Sequence, residues 1–385
     1  MLLVDLLING VVQGSLLALI CIGYSLAYGS AKVINFAHAD VMIAGGGYLV
    51  FLFITPSIPQ IVKLYMAIFW GLATLVALFY YLEKYNNLLL KIFITISISI
   101  LCSFIIFFCS GQLSFVVGFL TAIPFTAILA LAVYRIGYYP LIKKDAPRTS
   151  ILLIALAFSI AIQSILLIIW GSQRINFSPD LLPKFINVDP TITSDSIFEN
   201  IFTFGKLYIT SEITIPTLDI LIIIVFSAVV FFLYLFFKYS RMADAIIATA
   251  DSRITARACG IPIYKTLGYA FLLGGAIAAI GGTLFLLRSK SIYPTAGFTP
   301  GIVAFIACVL GGIGSLRGSI LGAFITSLVI SLAPGIPLED WVPKILPDNW
   351  INFLPSFSLS DWSFGVVYIL MILIILFKPQ GIFNK

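Results

Sequence analysis

The stretch Ile151–Trp170 runs for twenty residues without an Asp, Glu, Lys or Arg. Comparable apolar stretches recur at Leu218–Phe237 and, slightly shorter, at Phe364–Phe377. About 20 apolar residues at 1.5 Å rise each cross the hydrocarbon core of a bilayer. Backbone polar groups in hydrocarbon must be satisfied within their own segment, so continuous runs of this kind are helices. A barrel strand would alternate in polarity over about ten residues instead. Composition agrees: 61% of the 385 residues are hydrophobic and 10% are charged, whereas soluble domains run near 45–50% apolar and about 25% charged. The expected fold is an all-α, polytopic transmembrane bundle of about 8–11 membrane segments, broken or re-entrant helices included. It forms one transmembrane domain over residues 1–385, with halves near 1–134 and 151–385.

Residues Met1 to Asp5 lack the basic region and small-residue cleavage site of a secretory signal, so the first apolar run is expected to remain as a helix. Cys21, Cys102, Cys109, Cys259 and Cys308 form no CxxC pair, and four of them sit in apolar runs. They read as small hydrophobes, with neither a disulfide nor a metal site expected.

Spans are expected near 6–29, 33–55, 61–82, 88–110, 112–134, 151–170, 217–238, 267–288, 299–313, 319–333 and 362–378, eleven crossings. Arg135, Lys143, Lys144 and Arg148 crowd one connection, and Lys238, Arg241, Arg253, Arg257 and Lys265 another. The positive-inside rule makes both cytoplasmic, together with the C-terminal Lys378 and Lys385, and an odd number of crossings then puts the N-terminus outside. The formal charge of +6 is thus a topological signal. The basic residues are split among loops and line no common face, so nothing points to nucleic acid. The outward segments Gly171–Pro216 and Pro334–Asp361 are long, acidic and polar, as functional or covering loops are. Trp341, Trp350 and Trp362 suit interfacial anchors.

The stretch 239–265 is too polar to span. Its alanines, Ala245 and Ala248 among them, favour short helix, with Asp251, Arg253 and Arg257 interspersed and Arg241 at the start. Gly260, followed by Ile261 and Pro262, supplies a stop. A small-residue helix between two spans suits a segment that seats in the cleft of a soluble motor; an amphipathic helix lying on the membrane is the alternative.

Between Lys32 and Tyr48 lie the only histidine of the chain, His38, with Asn35 and an intramembrane carboxylate, Asp40. Polar groups inside a membrane are costly and mark functional candidates, so these three are candidates for lining a substrate pathway. On a regular helix Asn35 and His38 share a face and Asp40 lies nearly opposite His38. A break at Gly45-Gly46-Gly47 would line a pore, since glycine weakens helix by about 1 kcal/mol relative to alanine. One histidine and one poorly placed aspartate offer little for acid–base catalysis, and no enzyme is expected.

Gly10 and Gly14, Gly274 and Gly282, and Gly314, Gly318 and Gly322 recur at multiples of four, the spacing that lets helices touch backbone to backbone in lipid. The string Gly311 to Gly318 has neither the Lys-Ser/Thr ending of a phosphate loop nor the GxGxxG spacing, and it lies between membrane segments. The chain is expected to hold no cofactor, and any dependence on ATP must come from a partner.

Three blocks together resemble the LivH-type permeases of branched-chain amino acid ABC importers, a family that also includes urea and amide permeases. They are Asn9–Gly14 with Tyr28-Gly29 and Val33–His38; Tyr139–Leu141 to Arg148 with Ile151–Trp170; and Arg241 through Gly260-Ile261 to Ala304-Phe305 and Leu310–Gly318. The resemblance implies transport of branched-chain or other neutral amino acids rather than covalent chemistry. It also implies a second related permease subunit, two cytoplasmic ATPase subunits, an extracytoplasmic substrate-binding protein and a bacterial inner membrane. It identifies 239–265 with the loop that couples to the ATPase. Asp40 departs from the pattern by following Ala39, where the family usually has glycine. An ion-coupled secondary transporter is the alternative from another class, disfavoured by the scarcity of intramembrane carboxylates.

Overall fold

The computed structural model describes residues 2–32, 34–81, 88–177, 206–210, 213–333, 363–378 and 381–383. In chain order the helices are α1 (Leu2–Ala31), α2 (His38–Ile54), α3 (Gln60–Tyr81), α4 (Leu88–Cys109), α5 (Phe115–Lys143), α6 (Arg148–Trp170) and α7 (Thr217–Tyr239). There follow α8 (Arg241–Asp251), α9 (Arg253–Ala258), α10 (Ile263–Ser289), α11 (Phe298–Gly311), α12 (Leu316–Leu332) and α13 (Ser363–Phe377). Among the described residues seven helices, α1, α3, α4, α5, α6, α7 and α10, are long and apolar enough to cross a membrane. The protein is a polytopic helical bundle.

Helices α1 and α10 form its centre. In their most apolar windows 67% and 72% of residues are buried, against 17% in α4 and 22% in α7, which therefore turn most of their surface outward. Hydrophobicity is nearly uniform around these helices, so small residues rather than an apolar stripe select the packed faces. Helix α12 runs antiparallel along α1. The hydroxyls of Ser25 and Ser319 meet at one end; Ser327 Oγ donates to the Gly10 carbonyl at 2.9 Å, and Ser331 Oγ to that of Leu6 at the other.

Two expectations are corrected here. Residues 299–313 and 319–333 are not two independent straight spans: α11 and α12 meet at 119° across a short break, where Gly312 and Gly314 adopt positive φ of 110° and 90°, conformations that cost glycine least. Nor does a full helix cover 33–55. Helix begins only at His38, whose N–H donates to the Asn35 carbonyl at 3.1 Å, leaving a 17-residue helix deep in the bundle. Apolar composition marks residues that tolerate lipid or core, and it does not mark where a buried helix starts.

The basic connections gather at one end of the bundle. Ala31, Lys32, Asp145, Arg148, Asp251 and Arg253 surround one cleft there, and Gly29, Gly314 and Arg317 line the next. At the same end the N–H groups of Ile382 and Phe383 donate to the carbonyls of Leu310 and Gly311 at 2.9 and 3.2 Å. At the opposite end, β1 (Ile175–Asn176) pairs antiparallel with β4 (Ser291–Ile292), and β2 (Lys206–Thr210) with β3 (Ile213–Pro216). The rest of the Gly171–Pro216 segment between 178 and 205, and all of Pro334–Asp361 with Trp341, Trp350 and Trp362, lie outside the described residues.

Candidate functional site

Ser240, the single extended residue between α7 and α8, caps α8, its hydroxyl accepting the Met242 N–H at 3.3 Å. Ser252 does the same for α9, accepting from Thr255 N–H at 3.3 Å. Serine at the N-cap satisfies a backbone donor that helix geometry leaves free. The segment ends at Gly260, which adopts φ of +79°. The Ile261 N–H reaches back to the Ala256 carbonyl at 3.0 Å, and the Gly260 N–H to that of Arg257 at 3.0 Å, a glycine C-cap. Ala243, Ile246, Thr249 and Ala256 face the bundle. Arg241, Asp251, Arg257 and Gly260 are exposed, and Ala245 and Ala248 are half-buried.

Arg253 is also half-buried and turns inward. Its guanidinium donates to the Ala31 carbonyl, one of the unpaired C=O groups at the end of α1, where a cation also complements the helix dipole. Burial lowers its pKa, with the neighbouring charges opposing or adding smaller effects. Sequence reasoning missed the apolar part of this surface: Ile254 is 86% exposed, with Ile247 and Met242 also outward. Isoleucine so exposed on a polar segment is the signal. Beside it, a cleft of about 730 Å3 lies between α9 and the end of α5, lined by Ile142, Asp145, Arg253, Arg257 and Tyr264.

Asn35, His38 and Asp40 are each only 2% exposed and point three ways. Asn35 Oδ1 accepts the Tyr138 hydroxyl at 2.8 Å. His38 lies against Gly23, where a Cβ would overlap its ring, and 5.4 Å from the Tyr24 ring centroid; its Nε2 has no hydrogen-bond partner among the described residues. Asp40 faces α6, accepting from Ser159 Oγ at 2.5 Å and Gln163 Nε2 at 2.9 Å. Ser159 and Gln163 are four residues apart on one helical face, a pairing visible in the sequence once Asp40 is given a partner helix.

The glycine run does not break α2. Ile43–Leu49 widens into a π-helix whose seven residues are all buried. Gly46 sits against the Ala279 carbonyl and Gly282 against that of Met42, and Thr283 Oγ1 donates to the Gly46 carbonyl at 3.0 Å. The run packs against α10 instead of lining a pore, because backbones that close exclude a Cβ. Of the other spaced glycines, Gly10 lies under Leu328, Gly14 under Phe324, and Gly274 3.7 Å from the Gly23 Cα, by ideal Cβ positions. Gly318 and Gly322 meet Gly311 and Ala307, whereas Gly314 belongs to the turn and not to their helix.

At the opposite end Arg288 bridges to Asp219 and donates to Asn9 Oδ1 at 2.5 Å, tying α10, α7 and α1 together. This knot also escaped the sequence reading, since Asp219 sits at the first turn of an apolar run where it passes for a boundary residue.

A family model described as branched-chain amino acid transport system, permease component, matches residues 6–376. The chain is 28% identical over 379 residues to the high-affinity branched-chain amino acid transport system permease protein BraD of Pseudomonas aeruginosa, covering 98% of this chain and 95% of that one. It is 26% identical over 377 residues to the permease protein LivH of Escherichia coli K12, covering 98% and 94%. A shorter stretch of 132 residues is 27% identical to the fructose import permease protein FruG of Bifidobacterium longum, 32% and 38% of the two chains. No solved structure matches significantly.

Proposed function

The chain belongs to the branched-chain amino acid transport permease family, and from that membership we propose how its parts serve import. It is a multi-pass membrane permease subunit of an ATP-binding cassette importer, and it performs no covalent chemistry. Its cargo is branched-chain or other neutral amino acids, crossing a bacterial inner membrane. ATPase and substrate-binding partners accompany it; in our reading these are two cytoplasmic ATPase subunits, one extracytoplasmic binding protein and a second, related permease subunit that completes the pore. The ATP is hydrolysed by the ATPase subunits, and this chain holds no cofactor.

One observation carries the mechanism. The α8–α9 pair presents Ile254, Ile247 and Met242 outward on a polar segment, while Arg253 on the same segment grips the end of α1. A motor seated on the exposed face therefore pulls on the central helix directly. On this reading Arg241, Ala245, Ala248, Asp251 and Arg257 contact or border the motor, and this end of the bundle, with the C-terminus, is cytoplasmic. The basic connections gathered there support that orientation.

The test is uptake of radiolabelled leucine into proteoliposomes holding the complete transporter, with loaded binding protein outside and ATP inside. ATP-dependent accumulation is expected. Accumulation that follows an imposed ion gradient and ignores ATP would overturn the assignment.

A further inference from the structure

We propose that the cavity of about 470 Å3 between α1, α10, α11, α12 and α13, at the end opposite α8–α9, receives the transported amino acid as a zwitterion, with Arg288 meeting its carboxylate and Leu16, Leu17 and Val303 its aliphatic side chain. The inference rests on the importer reading and deepens it by assigning residues to the cargo.

The volume lies within the range of small-molecule sites, which are mostly apolar with a few placed polar groups. This cavity has that division. Leu16, Leu17 and Ile20 of α1 and Val303 of α11 are buried along its wall, and Gln13, Arg288, Thr299 and Ser327 supply the polar groups. Thr299 and Phe364 are exposed where it opens.

Arginine carries five N–H donors in a planar fork. Asp219 and Asn9 engage two of the Arg288 nitrogens, and the side chain keeps 24% of its surface exposed, so donors remain for a second carboxylate, the geometry that arginine serves best. Asp219 cancels the charge of Arg288. A neutral pair suits a ligand that is itself neutral overall but carries both signs, whereas a free anion or cation would add an uncompensated charge in a low-dielectric setting. The aliphatic wall then sorts cargo by size, one methylene in an apolar pocket being worth roughly 10–200-fold. A lipid acyl chain would use the same wall without needing the Arg288–Asp219 pair.

The test compares leucine with valine uptake by the complete transporter in proteoliposomes, at saturating loaded binding protein. Val303→Phe narrows the pocket and should lower the leucine-to-valine ratio roughly tenfold; Leu17→Ala widens it and should raise the ratio. A folding defect lowers both substrates together, so the ratio isolates the pocket. If the wild type imports leucine and both variants keep its ratio within about twofold, the cavity is off the route and the importer reading stands; loss of co-purifying phospholipid from Val303→Phe in that case assigns the cavity to lipid. If the wild type imports neither amino acid, the branched-chain cargo of the importer reading and this inference fall together.

Discussion

The guanidinium of Arg253 donates to the main-chain carbonyl of Ala31, 222 residues earlier in the chain. One contact thus joins the short polar helices α8 and α9 to the last turn of α1, one of the two central helices. A hydrogen bond from a charged group contributes roughly 1.5–3 kcal/mol, enough to make the join mechanically firm.

Arg253→Ala should therefore uncouple the motor from the pore. ATP hydrolysis by the assembled complex is expected to continue while leucine uptake per ATP falls about tenfold or more, as a loss of roughly 1.5–3 kcal/mol implies. Simultaneous measurement of phosphate release and uptake reads the ratio, and an unchanged ratio would remove Arg253 from the coupling path.

Ile254→Asp should leave the folded chain as stable as the wild type, since the side chain is 86% exposed. Co-purification of the ATPase subunits should drop by about 10-fold or more, because burying an isoleucine at an interface contributes about 1.5–3 kcal/mol. Ala248→Arg, at a half-buried position of the neighbouring helix α8, should impair transport with normal membrane expression. Wild-type transport by both variants would sink the docking assignment.

Asp40→Asn keeps an oxygen for the donors Ser159 and Gln163, so uptake should stay within about threefold of wild type. Asp40→Ala strands both donors and should lower unfolding stability in detergent by about 1–2 kcal/mol, near the upper end of measured polar pairs in membrane bundles. If Asp40→Asn abolishes uptake while the protein stays folded, Asp40 handles an ion or the cargo and the packing role is insufficient.

Gly46→Ala should block assembly, because its Cβ would strike the Ala279 carbonyl and approach the Gly282 Cα to 2.8 Å. Gly281→Ala, next to Gly282 in sequence, meets Leu19 Cβ at 3.4 Å and Met42 Sδ at 3.7 Å, ordinary contact distances, and should be tolerated. The fraction eluting as a monodisperse peak in detergent separates the two; equal yields would mean that the α2–α10 contact is looser than the structure describes.

By itself the sequence determined the helical membrane class, the grouping of basic connections at one end, the short helices between Arg241 and Ala258 and their stop at Gly260. Each of these is local: run length, charge and cap chemistry lie in neighbouring residues. Tertiary structure decided the rest. It set where α2 begins, turned the glycine run into a packing surface against α10, bent α11 against α12, and gave Asp40, Arg253 and Arg288 partners from distant segments. In lipid both faces of a helix are apolar, so hydropathy is silent about rotation and depth. Those are settled only when small residues let particular backbones touch and buried polar groups find each other.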